Sequence, residues 1–159
     1  MEPLVRITEG LDVAPVLAEL RDCADYWFML DLQMRQIPLI GFDHARLMQD
    51  QLPSVWKLID FVLDIAARDH GDCGRIDHAR MGLIRPGERV TPHFDGMNGV
   101  RERRYHIAIQ SEPGAELTVG GKTIRFKPGE AWWVDVSQVH SVINNSDADR
   151  ILALFDTCA

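Results

Sequence analysis

The chain lacks the features that mark several large classes of protein. No apolar run among its 159 residues approaches the roughly 20 residues needed to cross a bilayer, so we expect no membrane partner. The opening segment MEPLVRITEGLD lacks the basic and apolar regions of a signal peptide. Only three cysteines are present, Cys23, Cys73 and Cys158. An odd, scattered set without a secretion signal predicts free thiols and a cytoplasmic location.

Positive charge is also scarce. The chain has 17 lysines and arginines against 24 aspartates and glutamates, which gives a net charge of -7. A nucleic acid or an anionic membrane surface is therefore not a favoured partner, which leaves a small molecule or a peptide. Internal repeats and low-complexity segments are absent from the sequence. The length and the 46% hydrophobic content suit one soluble domain over residues 1–159.

Two amphipathic helices are predicted within residues 1–75. Apolar residues recur with the spacing of one helix face at residues 12–24 and again at residues 54–69. Asp12 and Ser54 are positioned to cap these helices, and the first glycine of DHGDCG can end the second one. The segment MRQIPLIGFDHARL between them is broken by proline and glycine, which predicts a loop with room for a short strand. We expect both helices to pack on the outside of the remaining structure.

After Gly74 the apolar period changes to two, which predicts β-strands. Three Pro-Gly pairs and one Gly-Gly pair are among the turn signals that separate the runs. Short strands at this spacing indicate an antiparallel sandwich or barrel. The predicted fold is therefore mainly β, with a barrel over residues 76–159 and a helical flank over residues 1–75. The seven clearest runs are RIDHARMGLI, RYHIAIQ, AELTVG, KTIRFK, EAWWVDV, HSVIN and RILALFD.

The segment TPHFDGMNGVRERRYHIAIQ concentrates polar groups that can carry chemistry. His93 and Asp95 lie two residues apart, so on a strand both side chains point to the same face. An imidazole and a carboxylate are natural ligands for a divalent transition metal. The alternative is a surface histidine hydrogen-bonded to a nearby aspartate, and the pair alone does not exclude it.

His140 supplies a third candidate ligand. A Pro-Gly pair, a strand, a turn and then His140-x-x-x-Asn144 resemble the second half of the cupin signature. In cupin-like jelly rolls, that histidine enters the barrel and binds metal. Two histidines and one carboxylate form the facial triad of non-heme iron(II) oxygenases, which leaves open positions on the metal.

Arg150 begins the last apolar run, ten residues after His140. A guanidinium that enters a barrel core needs an anionic partner, because an unpaired buried charge is very costly. Its planar fork fits a carboxylate in a bidentate manner. The alternative is an exposed arginine paired with Asp147 or Asp149, and sequence position does not decide between the two.

Together these elements resemble the aspartyl/asparaginyl β-hydroxylase family over roughly residues 77–157. Family members are dioxygenases that depend on iron(II) and 2-oxoglutarate, use O2, and fold as a double-stranded β-helix, a cupin-like jelly roll. The resemblance rests on LIRPGERVTPHFD, then RYH, then GEAWWVDVSQVHSVINNSDADRILALFD, in the family's order.

The resemblance also implies roles for individual residues. His93 and His140 would bind iron, with Asp95 completing a triad in which some family members have glycine instead. Arg150 would bind the distal carboxylate of 2-oxoglutarate. The implied site near the metal also contains Arg104 and His106, which would contact carboxylates of cosubstrate or substrate. Some members have a serine near the distal carboxylate where this chain has Gly82.

The expected activity is hydroxylation of an amino acid, free or within a peptide. The arginines at positions 101, 103 and 104 are compatible with a carboxylate-bearing substrate, although a solvated loop explains them equally well. Two other functions stay open. One is a cupin-like metal protein of another class, such as an isomerase or a dioxygenase without a cosubstrate. The other is a non-catalytic jelly roll that binds a ligand.

Overall fold

A computed structural model describes residues 2–29, 33–41, 50–95 and 103–158. Within these ranges the chain forms two α-helices, a short 3-10 turn at Ala24–Tyr26 and eleven strands. The helices are α1 (Ala14–Asp22) and α2 (Pro53–His70). The strands are β1 (Leu4–Thr8), β2 (Phe28–Met29), β3 (Arg35–Ile40), β4 (Ile76–Ile84), β5 (Arg89–His93), β6 (Arg103–Gln110), β7 (Ala115–Val119), β8 (Lys122–Ile124), β9 (Ala131–Val134), β10 (His140–Asn144) and β11 (Arg150–Thr157).

The strands form two antiparallel sheets. A seven-stranded sheet has the order β1-β9-β6-β11-β4-β3-β2, and a four-stranded sheet has the order β5-β10-β7-β8. Each of the seven runs predicted after Gly74 contains one of these strands, so the mainly β prediction is confirmed. The sheets pack face to face, because one buried apolar cluster includes Leu152 and Leu154 of the large sheet with Leu117 and Val119 of the small one.

The two helices cover the opposite face of the large sheet, as predicted. The apolar residues of α2, including Val55, Ile59 and Val62, are fully buried in a cluster with Ile107 and other residues of the large sheet. Alternation along each central strand therefore sends one set of side chains to the helices and the other to the small sheet. No helix in the described ranges has both the length and the apolar character needed to cross a membrane.

The ends of the helices depart in part from the predicted caps. Gly71 ends α2 in the left-handed conformation with φ 67°, as the glycine signal predicts. Asp12 accepts the Ala14 backbone N–H at 3.2 Å. The predicted cap at Ser54 is wrong, because α2 begins one residue earlier, at Pro53. Ser54 instead donates its hydroxyl and its backbone N–H to Glu19 of α1, which ties the two helices together.

The first 75 residues supply strands as well as helices. β1 pairs with β9 at one edge of the large sheet, and β3 pairs with β4 toward the other edge. The short strand for which MRQIPLIGFDHARL left room is β3, while positions 42–47 of that segment lie outside the described residues. The helical flank expected from the sequence is therefore also the source of three strands of the sheet.

A chain that begins at Asp77 should not fold. It would lose α1, α2 and the strands that pair with β4 and β9, and so expose the fully buried Ile107 and the backbone groups of two strands. Helices as short as α1 and α2 are marginal in water on their own, so they and the sheet depend on packing against each other. Expression of this chain beside the full-length protein, followed by calorimetry of any soluble fraction, tests the expectation. A soluble product with one cooperative melting transition would contradict it.

The expectation of three free thiols is wrong for two of them. Cys73, in the loop after α2, forms a disulfide with Cys158, just beyond β11, and their Cα atoms lie 6.2 Å apart. That separation is normal for a disulfide. The two cysteines are 85 positions apart, and the antiparallel pairing of β11 with β4 brings them together. Cys23 is a buried free cysteine, as expected.

Thiol counting tests this disulfide. Alkylation of the unfolded protein without reductant should modify Cys23 alone, and alkylation after reduction should modify all three cysteines. Replacing both Cys73 and Cys158 by serine should lower the free energy of unfolding by about 2–4 kcal/mol, the usual effect of a crosslink that closes a long loop. Three alkylated cysteines without reductant would show that the bond does not form.

Candidate active site

The structure brings His93 and His140 opposite each other at the end of the small sheet. β5 ends at His93 and β10 begins at His140, and the two residues are direct partners in the antiparallel ladder. Their ring centroids lie 4.3 Å apart, with the planes tilted by 55°. Residues 47 positions apart in the sequence thus present two imidazoles to one point.

Backbone carbonyls orient both rings in the same way. His93 Nδ1 lies 2.7 Å from the Thr91 carbonyl oxygen, and His140 Nδ1 lies 2.9 Å from that of Gln138. A carbonyl can only accept, so each Nδ1 carries the proton and donates it. Each Nε2 therefore keeps its lone pair, which is the state a metal ligand requires.

Asp95 completes the cluster from just beyond the end of β5. Its backbone N–H donates to the Val136 carbonyl at 2.9 Å, so Asp95 is held two residues beyond the strand on which the sequence predicted it. Its carboxylate oxygens lie 3.9 Å from Nε2 of His93 and 3.7 Å from Nε2 of His140. One ligand atom from each of the three residues fits within 4.8 Å of the others. This set of two imidazoles and a carboxylate suits a divalent transition metal.

The turn before His140 is fixed by Asp135, one of the residues in the family-like motif. Its carboxylate accepts the backbone N–H and the hydroxyl of Ser137 and the side-chain amide of Gln138. The same turn supplies the Gln138 carbonyl that orients the His140 ring. Asp135 therefore supports the candidate ligand indirectly, through the backbone.

The electrostatics of the cluster favour the protonation states that a metal needs. Burial lowers the pKa of His140 below its ordinary value, so the imidazole is neutral at neutral pH. Burial alone would raise the pKa of Asp95, but the charge and the hydrogen bond of Arg104 bring it below its ordinary value. Neutral imidazole and ionised carboxylate are the states that bind a divalent cation.

Arg104 is buried beside the cluster and contacts two protein carboxylates. Its Nη1 donates to Asp95 Oδ2 at 2.5 Å, while Nε and Nη2 donate to the two oxygens of Asp156 at 2.7 and 3.0 Å. The sequence suggested that Arg104 contacts a cosubstrate or substrate carboxylate, which stays a prediction. Asp156 was not predicted, although an acidic residue at an inward position of an otherwise apolar strand is a usable signal.

The other two arginines of that loop take different places. Arg103 points away from the cluster and donates to the His70 carbonyl at the end of α2, at 3.3 Å. Position 101 lies outside the described residues.

Arg150 is buried, with only 3% of its surface exposed, and it begins β11. Of the two readings, the exposed pair with Asp147 or Asp149 is excluded, since the described residues form no ion pair between Arg150 and either aspartate. Burial without a compensating anion lowers the pKa of Arg150 to about 10.

The turn that leads into Arg150 is built around a fully buried asparagine. The Asn144 amide donates to the carbonyls of Ile84 and Ala148, and its oxygen accepts the N–H and hydroxyl of Ser146. Arg150 pairs with Ile84 in the β11–β4 ladder. Because Arg150 lies two residues before Leu152, its side chain points to the same face as Leu152, the face that meets the small sheet.

His106 lies on that same inward face, two residues from Arg104 along β6. It is buried, and within the part of the chain that the structure describes neither of its ring nitrogens has a hydrogen-bond partner. Burial and the positive charges of Arg150 and Arg104 hold the pKa of His106 well below its ordinary value. A neutral imidazole with two unsatisfied nitrogens and a guanidinium without an anion, close enough to affect each other, fit a polar anionic ligand.

The position of the family serine is packed with apolar atoms. A Cβ added at Gly82 would lie 2.8 Å from the sulfur of Met34 and 3.0 Å from a methyl carbon of Leu154. Met34 therefore fills the space in which a serine side chain would lie. A thioether offers no hydrogen-bond donor, so it does not replace a serine contact to a carboxylate.

Two histidines and a carboxylate in a β protein of two packed sheets are the arrangement of mononuclear non-heme iron oxygenases. Comparisons with solved structures show the same fold at low sequence identity. The carbocyclase SnoK of nogalamycin biosynthesis, described as alpha-ketoglutarate dependent, is 14% identical to this chain with a TM-score of 0.75. The epimerase SnoN of nogalamycin biosynthesis, also described as alpha-ketoglutarate dependent, is 17% identical with a TM-score of 0.74. The match to SnoK covers 99% of this chain and 80% of SnoK, and the match to SnoN covers 98% of this chain and 77% of SnoN.

A prolyl-4-hydroxylase from Pseudomonas putida is also similar. It is 14% identical with a TM-score of 0.64, over 100% of this chain and 94% of its own. No curated protein sequence matches the chain significantly.

The sequence profile of the family described as Aspartyl/Asparaginyl beta-hydroxylase matches residues 16–159, nearly the whole chain. The chain therefore belongs to the aspartyl/asparaginyl β-hydroxylase family. It is a non-heme oxygenase that depends on iron(II), 2-oxoglutarate and O2.

Proposed function

We propose that the protein hydroxylates an amino acid, free or within a peptide, at a site between the two sheets of a double-stranded β-helix. The observation that carries the proposal is the joint placement of a three-residue metal cluster and a buried arginine, Arg150, that forms no ion pair with any described residue, on the inward faces of the two sheets. The two sheets share a buried apolar cluster to which no helix of the described residues contributes, and this supports the jelly-roll description.

The metal-binding part of the proposal rests on His93, Asp95 and His140. Their Nε2 and carboxylate atoms converge, and the backbone bonds to each Nδ1 leave the correct nitrogen unprotonated. Three protein ligands leave further coordination positions for cosubstrate and oxygen. Iron(II) held there supplies the capacity to activate O2, with 2-oxoglutarate as the source of two electrons.

The cosubstrate-binding part rests on Arg150 and His106. A guanidinium that lacks a protein anion gains a bidentate partner when a carboxylate enters, and its burial makes that gain large. His106 remains neutral, so it can donate one hydrogen bond to a carboxylate without adding charge. The burial of both residues also keeps water away from the bound ligand.

The same observations weigh against the other two functions. A cupin-like enzyme without a cosubstrate has no use for an uncompensated buried guanidinium, which destabilises the empty protein. A non-catalytic jelly roll has no use for two histidines whose tautomers are set for a metal. An amino acid is proposed as the substrate because that is the chemistry described by the name of the family.

Mass spectrometry of candidate substrates tests the function. The iron-loaded protein should add one oxygen to a free amino acid or a peptide, and should consume 2-oxoglutarate in equal amount. The His93→Ala protein serves as the matched control and should do neither. Oxygen addition that continues at full rate without 2-oxoglutarate would favour the cosubstrate-independent alternative, and metal binding with no turnover of any amino acid or peptide would favour the binding protein.

A further inference from the structure

We infer that Asp156 is a positioning residue, which holds Arg104 so that Arg104 presents Asp95 to the metal. The inference rests on the proposed function, since it assumes the metal cluster of His93, Asp95 and His140. Asp156 is 4% exposed and Arg104 is 7% exposed, so the contact between them is shielded from solvent. The sequence analysis predicted no residue that orients Arg104.

The strand register brings Asp156 and Arg104 together. They are direct partners in the ladder between β11 and β6, and both point inward because each lies two residues from an inward neighbour, Leu154 and His106. Nε and Nη2 of the guanidinium donate to the two oxygens of Asp156, a side-on bidentate contact. The Nη1 corner is directed at Asp95, where it donates to Oδ2.

This division of the guanidinium leaves Asp95 available for a metal. Because Asp156 occupies one edge of the fork, Arg104 takes a single oxygen of Asp95. The other oxygen, Oδ1, lies 3.9 Å from Nε2 of His93, while Oδ2 lies 3.7 Å from Nε2 of His140, so Asp95 faces both imidazoles. Without Asp156, the guanidinium can turn its fork toward both oxygens of Asp95 and compete with the metal for them.

Charge adds a second effect in the same direction. A guanidinium beside a divalent cation repels it, and a buried site screens that repulsion poorly. The carboxylate of Asp156 offsets the charge of Arg104, so the net positive charge beside the metal is smaller. Burial would lower the pKa of Arg104, but its bonds to Asp156 and the charge of Asp95 raise it, so Arg104 stays charged.

Cobalt(II) titration followed by visible absorption tests the inference without turnover, because the spectrum reports the ligands of the bound ion. Asp156→Asn keeps the shape and removes the charge, and it should weaken cobalt(II) binding about 10–100-fold, the usual effect of losing a partner of a metal ligand. In an Arg104→Gln background the same change should cost less than about threefold, since Asp156 then has no guanidinium through which to act.

Asp72→Asn is the matched control. Asp72 is a buried carboxylate near the same end of the sheet, and it accepts the hydroxyls of Tyr105 and Thr157. This variant should melt at a lower temperature and yet bind cobalt(II) as the wild type does. If Asp156→Asn alone does not fold, Arg104→Lys tests the same contact, because lysine keeps the charge and cannot hold two carboxylates at once. It should also weaken cobalt(II) binding.

The outcomes separate the inference from the proposed function. Wild-type cobalt(II) affinity in Asp156→Asn or in Arg104→Lys overturns the inference, and so does an equal loss from Asp156→Asn with and without Arg104. A wild-type protein that binds cobalt(II) no better than His93→Ala overturns the proposed metal site itself.

Discussion

Replacing His93, Asp95 or His140 with alanine should abolish turnover and sharply weaken iron(II) binding. Each residue contributes one of three atoms that lie within 4.8 Å of one another, and no other such group of histidine, cysteine, aspartate or glutamate side chains occurs among the described residues. Losing only an outer partner of a ligand typically costs about 10–100-fold in affinity, so losing a ligand should cost more. Iron(II) titration and 2-oxoglutarate consumption measure the two effects.

His70→Ala is the control for this series. His70 is exposed at the end of α2, and α2 packs on the face of the large sheet opposite the small sheet. The His70→Ala protein should bind iron(II) and turn over as the wild type does. His140→Ala is the most informative variant, because β10 joins the cluster only through this residue. Unchanged iron(II) affinity in His140→Ala would show that the metal site has been assigned incorrectly.

Local patterns made much of the candidate site predictable. His93 and Asp95 are two residues apart, and His140 begins a run bounded by clear turn signals, so short-range rules placed the first two on one strand and His140 at the start of another. Asp95 lies two residues beyond the end of β5 instead. The structure then brings them together through the pairing of β5 with β10. The sequence left open whether Arg150 is buried or exposed. The structure shows that it is buried, because β11 is buried from its first residue.

Long-range pairings could not be predicted in the same way. Asp156 meets Arg104 across 52 positions, and Cys73 meets Cys158 across 85. Both contacts depend on which strands become the neighbours of β11, and β6 and β4 are far from it in sequence, so local patterns do not specify them. The strands of the first 75 residues were underestimated for the same reason: β1 is short, and its pairing with β9 is determined by the sheet.

Arg150→Ala should raise the concentration of 2-oxoglutarate required for half-saturation by orders of magnitude while iron(II) binding persists. If Arg150 binds the distal carboxylate as proposed, the change removes a charge-assisted bidentate contact and leaves that carboxylate in a desolvated pocket. Breaking such a buried pair typically costs about 3–5 kcal/mol, which corresponds to roughly two to four decades in affinity. Arg150→Lys should recover only part of the loss, because lysine retains the charge and not the planar fork.

The stability of the cosubstrate-free protein gives an independent measure of the same role. Burial lowers the pKa of Arg150 to about 10, so at neutral pH the folded protein carries a cost for this charge that the unfolded chain does not. Arg150→Met keeps much of the volume and removes this charge, and it should melt at a higher temperature than the wild type when 2-oxoglutarate is absent. Adding 2-oxoglutarate should then stabilise the wild type and leave Arg150→Met unchanged. Equal stabilisation of both proteins would mean that the cosubstrate carboxylate lies elsewhere, and it would remove the main reason to place it beside β11.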